Sequence, residues 1–227
     1  INTLEKKYKR STIKSIENVE RKQLNFKSST SPKVSIIIPF YNQLDYTLNC
    51  LNYLHENLSD KISFEIILID DNSPENCDLS IINGIRVIKN TENKGFLRNI
   101  NIGIKESLGE FIYILNNDTE VQKGFLEELF YVFDNFPNVG AVGSKLLNAD
   151  GSLQEAGSVF MKDCNIHQIV RKKEVYYPQV NYIYKVDYCS GCSLLFKKYN
   201  DNGNLNLFDE QFVPAYFEET DFCFQLK

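Results

Sequence analysis

Four short apolar runs, rich in β-branched residues, set the tightest limit on how this chain can fold. They read Val34-Ser35-Ile36-Ile37-Ile38, Phe64-Glu65-Ile66-Ile67-Leu68-Ile69, Ile85-Arg86-Val87-Ile88 and Phe111-Ile112-Tyr113-Ile114-Leu115. Between the first two, Leu44, Leu48, Leu51 and Leu54 fall at helical spacing. A second helix is predicted over 97–108, closed by Gly109, and a third over 121–136, ended by Pro137-Asn138. Runs this short and unbroken, alternating with amphipathic helices, predict strands buried on both faces. The expected fold class is therefore α/β, a Rossmann-like and mostly parallel central sheet flanked by helices. Beyond 139–147 and a turn at Asp150-Gly151 the pieces become shorter and more polar, with no internal repeat.

In open α/β sheets ligands gather outside the carboxyl ends of the strands, and polar residues cluster there in this chain. Tyr41 and Asn42 follow the first run, Asp70-Asp71-Asn72-Ser73 the second, and Asn116-Asn117-Asp118-Thr119 the fourth. Asp, Asn and Ser also serve as helix caps and turn residues, so each cluster taken alone has that second reading. No Gly-x-Gly-x-x-Gly and no Gly-Lys-Ser/Thr loop occurs, which argues against a dinucleotide oxidoreductase and a P-loop nucleotidase. Phosphates would then need another counter-charge. A hard divalent cation, Mg²⁺ or Mn²⁺, is often held by one or two carboxylates plus the substrate's own phosphates. Asp118 is the candidate ligand, with Asn116 nearer a nucleotide's sugar. A hundred residues on, Tyr216-Phe217-Glu218-Glu219-Thr220-Asp221-Phe222 sets three carboxylates in four positions among aromatics. That composition suits taking a proton; a helix start with acids at its positive dipole end is the other reading.

Composition narrows the remaining classes. With 43% hydrophobic residues, sixteen Phe and thirteen Tyr in 227 residues, the chain can bury a sizeable core. No apolar stretch approaches the roughly 20 residues of a membrane span, and the start lacks a secretory layout, so a cytoplasmic protein is expected. The net charge of −5 is uneven: residues 1–30 hold eight Lys/Arg against three Glu, +5, leaving −10 on the rest. This speaks against a nucleic-acid partner, while the basic segment suits peripheral contact with anionic lipid at the inner membrane face, or a solvated leading helix. Six scattered cysteines read as reduced core thiols, Cys189-Ser190-Gly191-Cys192 included. His55 reads as structural and His167 as part of a surface loop. Residues 1–32 are expected as a basic helical segment with a linker at Ser28-Ser29-Thr30-Ser31-Pro32, and the domain proper as 33–227. The missing initiator methionine and an ending that reads as mid-helix predict a piece of a longer protein, truncated at the carboxyl end.

From about Lys33 to Lys227 the chain resembles the family 2 glycosyltransferases of GT-A fold, in their rhamnosyltransferase-like branch. The resemblance rests on 34–42, Ile69-Asp70-Asp71-Asn72-Ser73, Asn93-Lys94-Gly95-Phe96 with Asn101, and Leu115-Asn116-Asn117-Asp118-Thr119. It continues through Val142-Gly143-Ser144-Lys145-Leu146, Ser190-Gly191-Cys192, Phe208-Asp209-Glu210 and the acidic segment 216–221. It implies a nucleotide-binding half, 33–118, and an acceptor half, 119–227. Pro39 and Tyr41 would lie against the base, Asp71 would hydrogen-bond it, and Asp70 would support the pocket. Lys94 or Arg98 would reach the diphosphate. Asn116-Asn117-Asp118 stands where the family carries an Asp-x-Asp metal motif, with Asn in place of the first Asp. Glu219 would be the general base where the family usually has Asp, with Glu218 raising its proton affinity.

The implied activity is inverting transfer from a nucleoside-diphosphate sugar, UDP or dTDP type, to a glycan or lipid-linked acceptor. A non-catalytic sugar-nucleotide binding module is the competing class. A nucleotidyltransferase would bring a Gly-rich, basic first loop, which Pro39-Phe40-Tyr41-Asn42 is not.

Overall fold

A computed structural model describes residues 19–75, 77–162, 165–170 and 176–227; the basic helical start expected before residue 19 lies outside them. The strands in chain order are β1 (Leu24–Asn25), β2 (Val34–Phe40), β3 (Phe64–Asp70), β4 (Ile82–Asn83), β5 (Arg86–Lys89) and β6 (Phe111–Leu115). After them come β7 (Ala141–Gly143), β8 (Leu146–Leu147), β9 (Leu153–Glu155), β10 (Ser158–Phe160), β11 (Ile166–Gln168) and β12 (Ser193–Lys197). The helices are α1 (Leu44–Asn57), α2 (Gly95–Glu106), α3 (Phe125–Asn135) and α4 (Glu218–Gln225).

Six strands form the main sheet in the order β5-β3-β2-β6-β12-β7. The first four are mutually parallel, and β12 runs antiparallel to both β6 and β7. Side chains alternate across the sheet with the two-residue period of a strand. Ile36, Ile38, Ile66, Leu68, Tyr113 and Leu115 enter one core, with Leu48, Leu51 and Leu54 of α1 and Leu126, Leu129 and Phe130 of α3. Ile37, Ile67, Ile69, Ile112 and Ile114 enter the other, with Leu97, Ile100 and Ile104 of α2 and Phe222 of α4. Each fully buried aliphatic side chain contributes about 1.5–3 kcal/mol, so two such layers hold the sheet from both sides. On one of them α2 approaches so closely that a Cβ at Gly103 would sit 2.6 Å from Ile37 Cγ2.

Four expectations change on contact with the structure. Residues 24–26 are a short strand and its continuation, not part of a leading helix: Leu24 and Phe26 are buried in the first core, β1 pairs in parallel with β4, and Phe26 meets His55 edge-on at 5.4 Å. Apolar side chains at 24 and 26 outweigh the polar composition that follows them. The third run is not buried on both faces, because β5 is the outermost strand and leaves Val87 half exposed. Helix α2 starts two residues earlier than its apolar spacing indicates, since Asp71 accepts from the backbone N–H groups of Lys94 and Gly95. His167 lies on β11 and is exposed.

The order reversal fixes where a ligand would enter. The chain moves from β2 outward to β3 and β5, then returns to place β6 on the other side of β2. The β2–β6 ladder ends at Ile37↔Ile114, three residues short of the end of β2, so the two strands part at their carboxyl ends. A crevice at such a switch point is the usual ligand position in an open α/β sheet.

Candidate functional site

Pro39 sits just past the last β2–β6 pair, where one flank of the strand is open and a missing N–H is tolerated. Tyr41 follows with 48% of its surface exposed, ahead of Asn42 and Gln43, both with positive φ. The Asn42 N–H donates to Ser73 Oγ at 2.7 Å, tying the loops after β2 and β3 together. Behind them Asp70 and Asp71 are both buried. Asp70 accepts from the Ser73 N–H at 2.8 Å and meets Lys89 Nζ at 3.4 Å. Asp71 accepts from the N–H groups of Lys94 and Gly95, at 2.7 and 2.9 Å, and from Asn90 Nδ2 at 2.9 Å. The capping reading therefore describes what both carboxylates do here. A carboxylate offers about four lone-pair positions, so Asp71 retains one.

Two candidate cations stand by the second loop. Lys94 directly precedes α2 and lies 3.8 Å from Glu92, while Arg98 pairs with Glu210 at 3.1 Å.

At the end of β6 the three-residue motif divides its work. The Asn116 N–H donates to Cys192 O at 3.0 Å, and its own carbonyl accepts from Thr119 Oγ1 at 2.7 Å. Asn117 donates from Nδ2 to Thr47 Oγ1 of α1 at 3.1 Å. Asp118 is exposed, and its carboxylate is hydrogen-bonded to no described residue. The backbone of Asn116 and the side chain of Asn117 hold the turn, and the Asp118 carboxylate is left exposed.

The loop 189–192 leads into β12 and carries the site across to α4. Its Cys192 end is hydrogen-bonded to Asn116, and its Gly191 N–H lies near enough to the Glu219 carboxylate to favour the charged form. A Cβ at Gly191 would stand 3.0 Å from Glu219 Oε1, so glycine is what admits this approach. The Cys192 thiol feels the charges of Asp118, Glu155 and Glu219, so all three acids lie near the end of this loop. Glu219 is half-buried, and its proton affinity is raised above that of an ordinary carboxylate. Burial is the main cause and the neighbouring charge of Glu218 the next, with Glu155 adding to them; the N–H groups of Glu219 itself and Gly191 pull the other way. Glu218 is buried, with Oε2 bonded to no described residue.

A pH dependence follows for any reaction in which Glu219 must be ionised. Activity then rises with pH through the elevated Glu219 value, and removing the Glu218 charge lowers that value. Glu218→Gln should move the acid limb of the kcat/KM profile to lower pH, and an unmoved limb would show that the two side chains do not interact.

Cys50, Cys77, Cys189, Cys192 and Cys223 are free, and burial pushes Cys50, Cys189 and Cys192 up to about 12, well on the protonated side at neutral pH. Among the described residues no three His, Cys, Asp or Glu side chains form a metal-binding group. No helix among them is long and apolar enough to cross a membrane.

Sequence reasoning missed Gly191 as the peptide that lies against Glu219 and Glu155 as a charge felt there. The Ser190-Gly191-Cys192 fragment was the available signal for the first. For the second there was none, because Glu155 reaches the site through the fold of the β8–β9 hairpin.

A mostly parallel sheet, crossed only by the antiparallel β12 and carrying carboxylates at its switch point, defines an open α/β domain. Residues 35–203 match the model of Glycosyl transferase family 2, and the chain belongs to that family. It is 33% identical over 151 residues to an uncharacterized glycosyltransferase of Rickettsia bellii, covering 57% of this chain and 20% of that protein. It is 34% identical over 135 residues to the O-antigen biosynthesis protein RfbC of Myxococcus xanthus, covering 57% of this chain and 10% of that one. The chain thus spans a fifth or less of these two relatives. Among solved structures, the mannosyltransferase PcManGT of Pyrobaculum calidifontis in complex with GDP-Man and Mn²⁺ aligns with a TM-score of 0.57 at 14% identity, over 91% of this chain and 55% of that one. GalNAc-T7 with UDP, GalNAc and Mn²⁺ aligns with a TM-score of 0.65 at 15% identity, over 88% and 41%. The fold is GT-A.

Proposed function

We propose that this chain carries the donor-binding and base-bearing parts of an inverting glycosyltransferase that moves a sugar from a nucleoside-diphosphate sugar to an acceptor hydroxyl. One observation carries the reading: an exposed Asp118, bonded to no described residue, and a half-buried Glu219 of raised proton affinity both lie close to the loop 189–192. The relative in O-antigen biosynthesis supports a cell-surface polysaccharide or related glycan as the product. Neighbours described with GDP-Man or UDP and with Mn²⁺ support the donor class.

Residues 33–118 bind the donor in this reading, and 119–227 face the acceptor. Tyr41 and Pro39 lie against a flat base, and the spare lone pair of Asp71 accepts from it; an imide N–H, as in UDP or dTDP, is such a donor. Asp70 holds the supporting turn. Lys94 is the less committed cation for the diphosphate, since Arg98 would first leave Glu210. Asn116 approaches the sugar, and Asn117 keeps the turn against α1.

Asp118 fits Mg²⁺ or Mn²⁺ as a lone protein carboxylate, with donor phosphates and water completing the oxygen shell. Bound there, the cation neutralises charge on the departing diphosphate. Glu219 accepts the proton of the acceptor hydroxyl, whose oxygen bonds to the anomeric carbon as the bond to the diphosphate breaks on the opposite face. That in-line displacement inverts the configuration, and a single carboxylate suffices because the diphosphate leaves unprotonated. The acceptor is a glycan or lipid-linked glycan; a cytoplasmic enzyme held at the inner membrane face by the basic segment 1–30 suits such an acceptor.

Thermal unfolding with UDP, dTDP and GDP, with Mn²⁺ or with chelator, tests the reading. A nucleotide at a hundred times its Kd stabilises by about 2.7 kcal/mol. We expect a rise in Tm for at least one nucleotide that the chelator reduces, accompanied by turnover of the matching sugar donor. Binding without turnover would mean a sugar-nucleotide binding module, and no stabilisation by any of the three would end the reading.

A further inference from the structure

One buried side chain ties the helix that Asp71 caps to the helix that carries Glu219. Asn101 of α2 is buried, and its amide pairs with a peptide 107 residues further along the chain. Its Nδ2 donates to Phe208 O at 2.8 Å, and its Oδ1 accepts from the Phe208 N–H at 2.9 Å. A side-chain amide thus makes both hydrogen bonds that a neighbouring strand would make, in a place where water cannot replace them. The Phe208 ring, also buried, lies flat on Phe222 of α4, with centroids 4.2 Å and planes 6° apart. Phe222 closes edge-on against Phe196 of β12 at 4.7 Å. It stands three residues after Glu219, a spacing that puts the two on adjacent turns of one helix side.

The two helices joined in this way differ in how firmly they are held. Helix α2 is seated on the sheet at Gly103 and capped at its start by Asp71, so Asn101 projects from a fixed element. Helix α4 has eight residues, too few to keep its shape without packing, and no side chain caps its start. Its carboxyl end has separate ties, with Phe224 edge-on to Phe160 at 5.7 Å and Lys227 paired with Asp187 at 2.6 Å. Phe222 is the most deeply buried side chain of α4 and enters the second core.

We propose that Asn101 is a positioning residue for the base: through Phe208 and Phe222 it sets where Glu219 stands. The inference rests on the transferase reading above and adds to it a residue that acts only through others. A general base must come within about 2.6–3.2 Å of the hydroxyl it deprotonates, and a misplacement of about 1 Å can cost a hundredfold. Arg98 reaches Glu210 from the same side of α2, but that exposed pair holds the segment weakly beside a buried amide with two bonds.

Amide hydrogen exchange read by mass spectrometry reports the linkage without any substrate. Asn101→Leu has the same branched shape without the amide, and should speed exchange over 218–225 while 95–106 of α2 stays protected. Phe208→Leu keeps the backbone pair with Asn101 but loses the stacked ring; it should loosen the same segment, and it serves if the first variant folds poorly. Rates are read as nucleoside diphosphate released from a panel of UDP-, dTDP- and GDP-hexoses with Mn²⁺, water being the acceptor. Each variant should lower kcat about tenfold to a hundredfold, with nucleotide affinity within about twofold. Added to Glu219→Gln, the same substitutions should cost less than about twofold more, because a residue that acts through Glu219 then has no base to position. Equal losses in both backgrounds would overturn the proposal, since Asn101 would then serve folding or the donor. Unaltered exchange over α4, or an unaltered kcat, would overturn it too while leaving the transferase reading intact. Full rate in Glu219→Gln alone would instead sink that parent reading, and this one with it.

Discussion

Glu219→Gln should lower transfer by about a hundredfold to ten-thousandfold while nucleoside-diphosphate affinity stays near that of the unaltered protein. The amide keeps the size of the side chain and can still meet the Gly191 N–H through its oxygen. What it loses is the capacity to accept a proton. Because burial already raises the proton affinity of the carboxylate, it is a stronger base than an exposed glutamate. A variant that transferred at the original rate would remove Glu219 from the chemistry and leave the acidic start of α4 as a structural feature. Rate measurements should be paired with calorimetric titration of UDP or dTDP, so that a folding defect shows as lost binding.

Asp118→Ala should abolish the Mn²⁺-dependent part of nucleoside-diphosphate binding and cost about a hundredfold to a thousandfold in kcat, the scale seen when one electrostatic stabiliser is removed. The side chain is exposed and bonded to no described residue, so its truncation should leave folding nearly unchanged. Asn116 and Asn117 do not replace it, since Asn117 is spent on Thr47 and an amide oxygen carries no full charge. Equal affinity with and without metal in the unaltered protein would displace Asp118 from the role given to it.

The rim of the parallel sheet was readable along the chain because its cause is local. Apolar runs such as Phe111–Leu115 declare a doubly buried strand, and a polar cluster at the end of such a strand has only the rim to occupy. The parallel sheet, the helices α1, α2 and α3, and the position of Asp118 all follow from that logic. Errors arose where tertiary contacts override local pattern. Leu24 and Phe26 looked like part of a polar lead-in until β4 provided a strand to pair with and α1 a surface to cover. Asp71 gave no sign that it would cap a helix more than twenty residues away, because that bond needs β3 and α2 to be packed together first. The short hairpins between residues 146 and 168 carry little periodicity, and so the charge that Glu155 lends to Glu219 could not be read from spacing.

The antiparallel return of β12 onto β6 has a consequence for how the molecule acquires its activity. Leu115 pairs with Ser193, and Asn116 with Cys192, across a stretch of chain that includes all of α3 and five short strands. Contacts that far apart in sequence form late, since a long loop must close before they repay its entropy. The strand ends that carry Tyr41, Asp71 and Asp118 thus precede this closure along the chain, and Glu219 follows it. Under the reading proposed above, a polypeptide in which β12 has not docked could hold a donor but not spend it, because the loop entering β12 is what meets Glu219.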